Sequence, residues 1–213
     1  MTDQRQRTHI ALLLDSSGSM QSIREDARGS YNAYLEEQQK EMADEAFWSL
    51  TLFGGALVER RYEDVPIAEM LPMEQSDYMP NGNTPLYDAM GQTMVTLEPR
   101  VEEGDRALLV VITDGRENSS IEWSHEAVEK KVNELTDLGN WTIVYLASTP
   151  DAVEIGRSLG VLQANASYFE RGTESETVVR LSAATRGLRR SADLSSDSFA
   201  ADMQDEDAEE SES

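Results

Sequence analysis

Asp15, Ser17 and Ser19 occupy alternate positions in Asp15-Ser16-Ser17-Gly18-Ser19, directly after the apolar run His9-Ile10-Ala11-Leu12-Leu13-Leu14. One carboxylate and two hydroxyls are hard oxygen donors, the kind that Mg²⁺ or a similar cation prefers. Gly18 allows a tight bend between the serines. A second apolar run, Ala107 to Thr113, also ends in an acid, Asp114, followed by Gly115. The plainer reading is a serine-rich turn whose side chains satisfy loop and helix-end amides, with Asp114 as a turn former. Placement of both acids directly behind buried-type strands favours ligands over turns.

Apolar runs this short read as strands buried on both faces, so the sheet should be mostly parallel and covered by helices. Ser22-Ile23-Arg24-Glu25 has the form of a capping box opening the first helix, whose stripe is Ile23, Ala27, Tyr31, Tyr34, Leu35, Gln38 and Met42. A second strand spans 46–53 and stops at Gly54-Gly55. A third, 57–62, follows too closely for a crossover, so it is antiparallel and suits a sheet edge. Residues 64–83 read as loop, and Thr84-Pro85 starts a helix with Thr84 as its cap. Further elements are the strand ending at Thr113, a helix capped by Ser124 with a stripe from Val128 to Leu138, and a strand over 141–147. A short helix over 151–159, a brief strand at Val161-Leu162-Gln163 and a last helix over 174–190 complete the series.

This alternation predicts an α/β, three-layer, doubly wound sheet of six strands in the order 3-2-1-4-5-6, with one antiparallel edge strand. The order reverses between the first strand and the one ending at Asp114. Asp15 and Asp114 should therefore meet in one crevice at the carboxyl ends. Glu117 and Asn118 read as solvated loop residues. His9 and His125 read as a strand-start and a helix-first-turn residue, and Trp48, Trp123 and Trp141 as core or partly exposed aromatics.

The chain of 213 residues fits one domain with a tail: a polar extension over 1–7, the domain over 8–191 and an acidic, disordered tail over 192–213. A formal net charge of −23 argues against nucleic acid and anionic membranes as partners. Lysine appears only at Lys40, Lys130 and Lys131, a balance that either a salty cytoplasm or a GC-rich genome would produce. The absence of cysteine excludes disulfides, thiolate catalysis and cysteine zinc sites. Polar first residues and the lack of any span-length apolar run lead to the expectation of a soluble, cytoplasmic protein.

The arrangement resembles the von Willebrand factor type A domain, and Asp15-Ser16-Ser17-Gly18-Ser19 resembles that family's metal-ion-dependent adhesion site. The family pattern continues with a threonine before a helix, matched by Thr84 in Gly82-Asn83-Thr84-Pro85, and an aspartate after an apolar strand, matched by Asp114. The resemblance covers about residues 8 to 190, is nearest to stand-alone microbial domains of this type, and leaves the tail outside. It implies Ser17 and Ser19 as direct ligands of Mg²⁺ (Mn²⁺ or Ca²⁺ as alternatives), with Thr84, Asp15 and Asp114 binding directly or through water. It further implies a protein partner that presents a Glu or Asp to the ion, and a module that is not an enzyme.

Two rival functions carry their own discriminators. A metal-dependent hydrolase or phosphotransfer enzyme could use the same crevice, although the sequence has no Gly-x-Ser-x-Gly elbow, no P-loop and no histidine near the motif. Alternatively, the acidic tail could serve as the ligand of a neighbouring molecule, giving self-assembly.

Overall fold

The computed structural model describes residues 6–55, 57–114, 117–148, 150–168 and 174–191, together with Phe199 and Met203. Six strands form one sheet: β1 (Arg7–Asp15), β2 (Glu45–Gly54), β3 (Leu57–Pro66), β4 (Arg106–Thr113), β5 (Trp141–Ala147) and β6 (Ala166–Tyr168). Their order is β3-β2-β1-β4-β5-β6, as the alternation predicts. β2 and β3 pair antiparallel, and every other neighbouring pair is parallel. Five helices accompany them: α1 (Arg24–Gln39), α2 (Leu86–Leu97), α3 (His125–Thr136), α4 (Pro150–Ser158) and α5 (Glu174–Arg190).

Alternation along each central strand divides the core in two. Ile10, Leu12 and Leu14 of β1 point into one cluster with α1 and α5, while Ala11 and Leu13 point into the other with α2 and α3. The two helix layers thus bury a strand on both faces, which is why β1 and β4 are almost uninterrupted apolar sequence. α5 is fastened at its end by a fully buried ion pair, Arg189 Nη2 to Asp44 Oδ1 at 2.8 Å. No helix among the described residues is long and apolar enough to cross a membrane.

Several local expectations change. Ser22 forms no capping box: the chain leaves Ser17 as a 3-10 turn, Gly18–Ile23, that runs straight into α1 without a side-chain cap. Ser22 Oγ instead donates back to the Ser19 carbonyl at 3.3 Å. Met42 lies beyond the end of α1 and is 83% exposed. The last strand is not Val161-Leu162-Gln163. Gly160, at φ 85°, turns the chain so that Val161 is buried, a 3-10 turn follows at Gln163–Asn165, and pairing with β5 begins at Ala166.

At the amino end, Arg7 already belongs to β1 and pairs with Asp105 at 2.8 Å, so the extension is shorter than expected. Residues 1–5 lie outside the described residues, as does most of the segment after Ser191. Within that segment, however, Phe199 and Met203 are helical and buried in the α1/α5 cluster.

Candidate metal centre

Parallel pairing places the two acids. Leu14 pairs with Ile112, so the next residues on each strand, Asp15 and Thr113, come together, and Thr113 Oγ1 donates to Asp15 Oδ2 at 2.6 Å. The other Asp15 oxygen accepts the Ser17 N–H at 2.7 Å, and this bond curls the loop back over the strand end. Tyr78, fully buried, donates its hydroxyl to the Asp15 carbonyl. Burial pushes the Asp15 carboxyl up to about 6, against its hydrogen bonds from Thr113 and Ser17, and the Asp114 charge adds to the rise.

From Asp15 the polar chain continues outward. Ser17 Oγ and Ser19 Oγ lie 3.0 Å apart, and Ser19 Oγ donates to Asp114 Oδ1 at 2.6 Å. Ser17 is buried, whereas Ser19 is exposed at the rim. Four of the five expected residues are therefore linked side by side across the β1–β4 crevice.

Thr84 reaches the same rim through its backbone. Gly18 N–H donates to the Gly82 carbonyl at 3.0 Å, Asn81 N–H to the Ser16 carbonyl at 2.7 Å, and Gly55 N–H to the Asn83 carbonyl at 2.9 Å. The loops after β1 and β2 and the segment before α2 are laced together by these bonds. Glycine is required at the crossing: a Cβ on Gly54 would stand 2.3 Å from the Ser16 carbonyl oxygen, and one on Gly82 2.4 Å from Gly55 Cα. Gly55 and Gly82 also hold φ of 64° and 68°, the left-handed region that disfavours other residues.

Thr84 is not the cap of α2. The helix begins at Leu86 with Pro85 before it and no side-chain capping bond. The free N–H groups of the first turn are taken by the loop after β4: Tyr87 N–H donates to Glu117 Oε2 at 3.0 Å and Asp88 N–H to Ser120 Oγ at 3.0 Å. Such orphan donors must be satisfied somewhere, and here a second loop does it.

Glu117 and Asn118 are thus not idle loop residues. Glu117 Oε1 also accepts the N–H groups of Ser119 and Ser120, each at 2.7 Å. Asn118, although exposed, grips Thr84 twice: Thr84 N–H donates to Asn118 Oδ1 at 2.8 Å, and Asn118 N–H donates to the Thr84 carbonyl at 3.2 Å. Asp88 accepts the N–H groups of Ile121, Glu122 and Trp123 in return. Gly115 and Arg116, which join Asp114 to Glu117, lie outside the described residues.

The donor set matches a hard divalent cation in kind: two carboxylates and three hydroxyls, all oxygen. Among the described residues no three His, Cys, Asp or Glu side chains group as metal ligands, consistent with a set in which hydroxyls are the majority. The carboxylate whose ionisation burial opposes is the one a nearby positive charge would restore.

The histidines stand apart from this rim. His9 is buried near the other end of β1, 2.7 Å from Asp64 and stacked on Phe47. His125 Nε2 lies 2.9 Å from Ser158 Oγ at the end of α4.

The fold is that of a von Willebrand factor type A domain. It superposes on the von Willebrand factor domain of the type V pili tip protein Mfa5 from Porphyromonas gingivalis with a TM-score of 0.67, 10% identity, and coverage of 84% of this chain and 94% of that one. Proximal thread matrix protein 1 from the mussel byssus gives 0.61 at 13% identity, covering 85% and 47%. Manganese-loaded TRAP protein from Plasmodium vivax gives 0.59 at 17% identity, covering 82% and 71%. A further structure of the mussel protein, at TM-score 0.54, has zinc in its metal-ion-dependent adhesion site. The chain spans about half the length of the mussel protein. At these identities the likeness is one of fold. No family profile and no curated protein matches the sequence.

Proposed function

We propose that the chain is a divalent-metal-dependent protein-interaction module whose ion, Mg²⁺ by preference, is held by Asp15, Ser17, Ser19, Thr84 and Asp114. The observation that carries this reading is the unbroken line from Asp15 through Ser17 and Ser19 to Asp114, with Ser19 Oγ 2.6 Å from Asp114 Oδ1. Bound there, the ion would offer a partner's Glu or Asp a coordination position, because neutral hydroxyls leave its charge largely uncancelled.

The protein's own residues do the rest. Thr113 and the Ser17 amide hold Asp15 in one orientation, and Asn118 holds the Thr84 backbone. Glu117 and Asp88 tie the loop beyond Asp114 to α2, so that donors from distant parts of the chain act as one rigid rim. A binding rather than hydrolytic role is supported by the position of both histidines away from this rim, which leaves it without a neutral-pH base of that type. The cysteine-free composition suits a reducing compartment, and we place the module in the cytoplasm.

The test is capture of proteins from native lysate by the immobilised chain, in Mg²⁺ and in EDTA. Capture should require Mg²⁺, fail with Ser19→Ala, and fail when lysate carboxylates have been amidated. Equal capture in EDTA contradicts the reading.

A further inference from the structure

A cleft with a volume of about 210 Å³ adjoins the candidate centre, on the far side of the Ser16 peptide. Ser16, Gly54, Leu57, Arg61, Met79 and Asn81 are among its lining residues. Its wall is continuous with the centre, since the Ser16 carbonyl that accepts the Asn81 N–H belongs to the loop carrying Asp15, Ser17 and Ser19. Two large apolar side chains stand at this cleft in water: Leu57 is 70% and Met79 60% exposed. Neither contributes to the two core clusters, so folding does not account for them.

The charges in the cleft select the kind of occupant. Arg61 is already engaged, with Nε 2.9 Å from Glu59 and Nη2 donating to the Asp77 carbonyl at 3.2 Å. Glu59 and Asp77 also line the cleft, so a second carboxylate entering it would meet two acids and one committed cation. An apolar side chain meets no such penalty and would cover Leu57 and Met79 together.

We infer that this cleft receives a Leu, Met or Phe side chain lying one residue from the partner's metal-directed Glu or Asp, and that Leu57 and Met79 set this preference. The inference rests on the metal-and-carboxylate reading above. A carboxylate alone would discriminate poorly among partners, since acidic residues are common on surfaces. A neighbouring apolar anchor supplies the difference in affinity that specificity needs.

The probe is an array of peptides with a central Glu between Gly-Ser flanks, in which the residue before or after the Glu is varied over all types. It is read with the full-length chain in Mg²⁺ and in EDTA. Mg²⁺-dependent binding should be about tenfold or more stronger with Leu, Met or Phe than with Gly, the range expected for burying one such side chain. Leu57→Asp and Met79→Asp should each bring binding down to the Gly level while leaving Mg²⁺ affinity, measured by calorimetry, unchanged. Mg²⁺-dependent binding that ignores the varied residue, or is strongest with Lys or Arg, overturns the cleft and leaves the carboxylate reading standing. Absence of any Mg²⁺-dependent binding to the Glu peptides overturns the carboxylate reading itself, and the cleft with it.

Discussion

The residue that most changes how the rim is understood is Asn118. It touches none of the other four candidate ligands through any recorded bond, yet it holds both the N–H and the carbonyl of Thr84. Residues that orient ligands from behind commonly change metal affinity by about tenfold to a hundredfold when removed. We therefore predict that Asn118→Ala weakens Mg²⁺ binding by about tenfold or more while costing only about 1–2 kcal/mol of stability, the scale of an unmade hydrogen bond. Calorimetric titration beside urea unfolding checks this; unchanged Mg²⁺ affinity would show that Thr84 needs no such hold. The sequence could not reveal this role. An asparagine in a polar loop has many uses, and the one here depends on backbone groups 34 positions away. Asp15, Ser17, Ser19 and Asp114 were legible because each follows directly on an apolar run that fixes where it must emerge.

Among elements, the strands were the easiest to read and the loop junction the hardest. Buried parallel strands leave continuous apolar runs, so β1, β2, β4 and β5 announce themselves, and the sheet order follows from the rules of α/β winding. β6 does not, because it has only three residues and pairs on one side. The glycines at 54, 55 and 82 read as stops and turns, whereas in the structure they are the points where three loops cross almost backbone to backbone. Gly82→Ala should therefore do more than stiffen a turn. A methyl 2.4 Å from Gly55 Cα, on a residue at φ 68°, forces the segments apart. We predict a loss of about 2 kcal/mol or more in urea unfolding, the cost of a strained left-handed residue or higher, together with weaker Mg²⁺ binding. A variant as stable as the parent would mean that the junction is looser than it is drawn here.

At the scale of the whole molecule, the two layers are unequally supplied with helices. α2 and α3 pack into one cluster, while the other rests on α1 and α5 with Phe199 and Met203 added. The sequence after Ala192 shows no sustained apolar period, and two apolar residues four apart among many acids are easily passed over as part of a solubilising tail. Phe199 is nevertheless fully buried. Phe199→Ala should lower stability by about 3–5 kcal/mol, as for other buried phenylalanines. Chemical denaturation measures it, and a change under about 1 kcal/mol, typical of a surface site, would return these residues to the tail. The remaining acids give the molecule its net charge of −23, which suits cation binding and soluble behaviour more than it shapes the fold.

The claim on which the rest depends is that oxygen donors from distant parts of the chain share one divalent ion. Isothermal titration of Mg²⁺ into the parent chain and into Asp15→Ala, Ser19→Ala and Asp114→Ala measures this directly. The account predicts one ion per chain for the parent and loss of binding in the Asp15 and Asp114 variants, with circular dichroism unchanged. Heat-silent titrations of a folded parent, or equal binding by all four proteins, would contradict it.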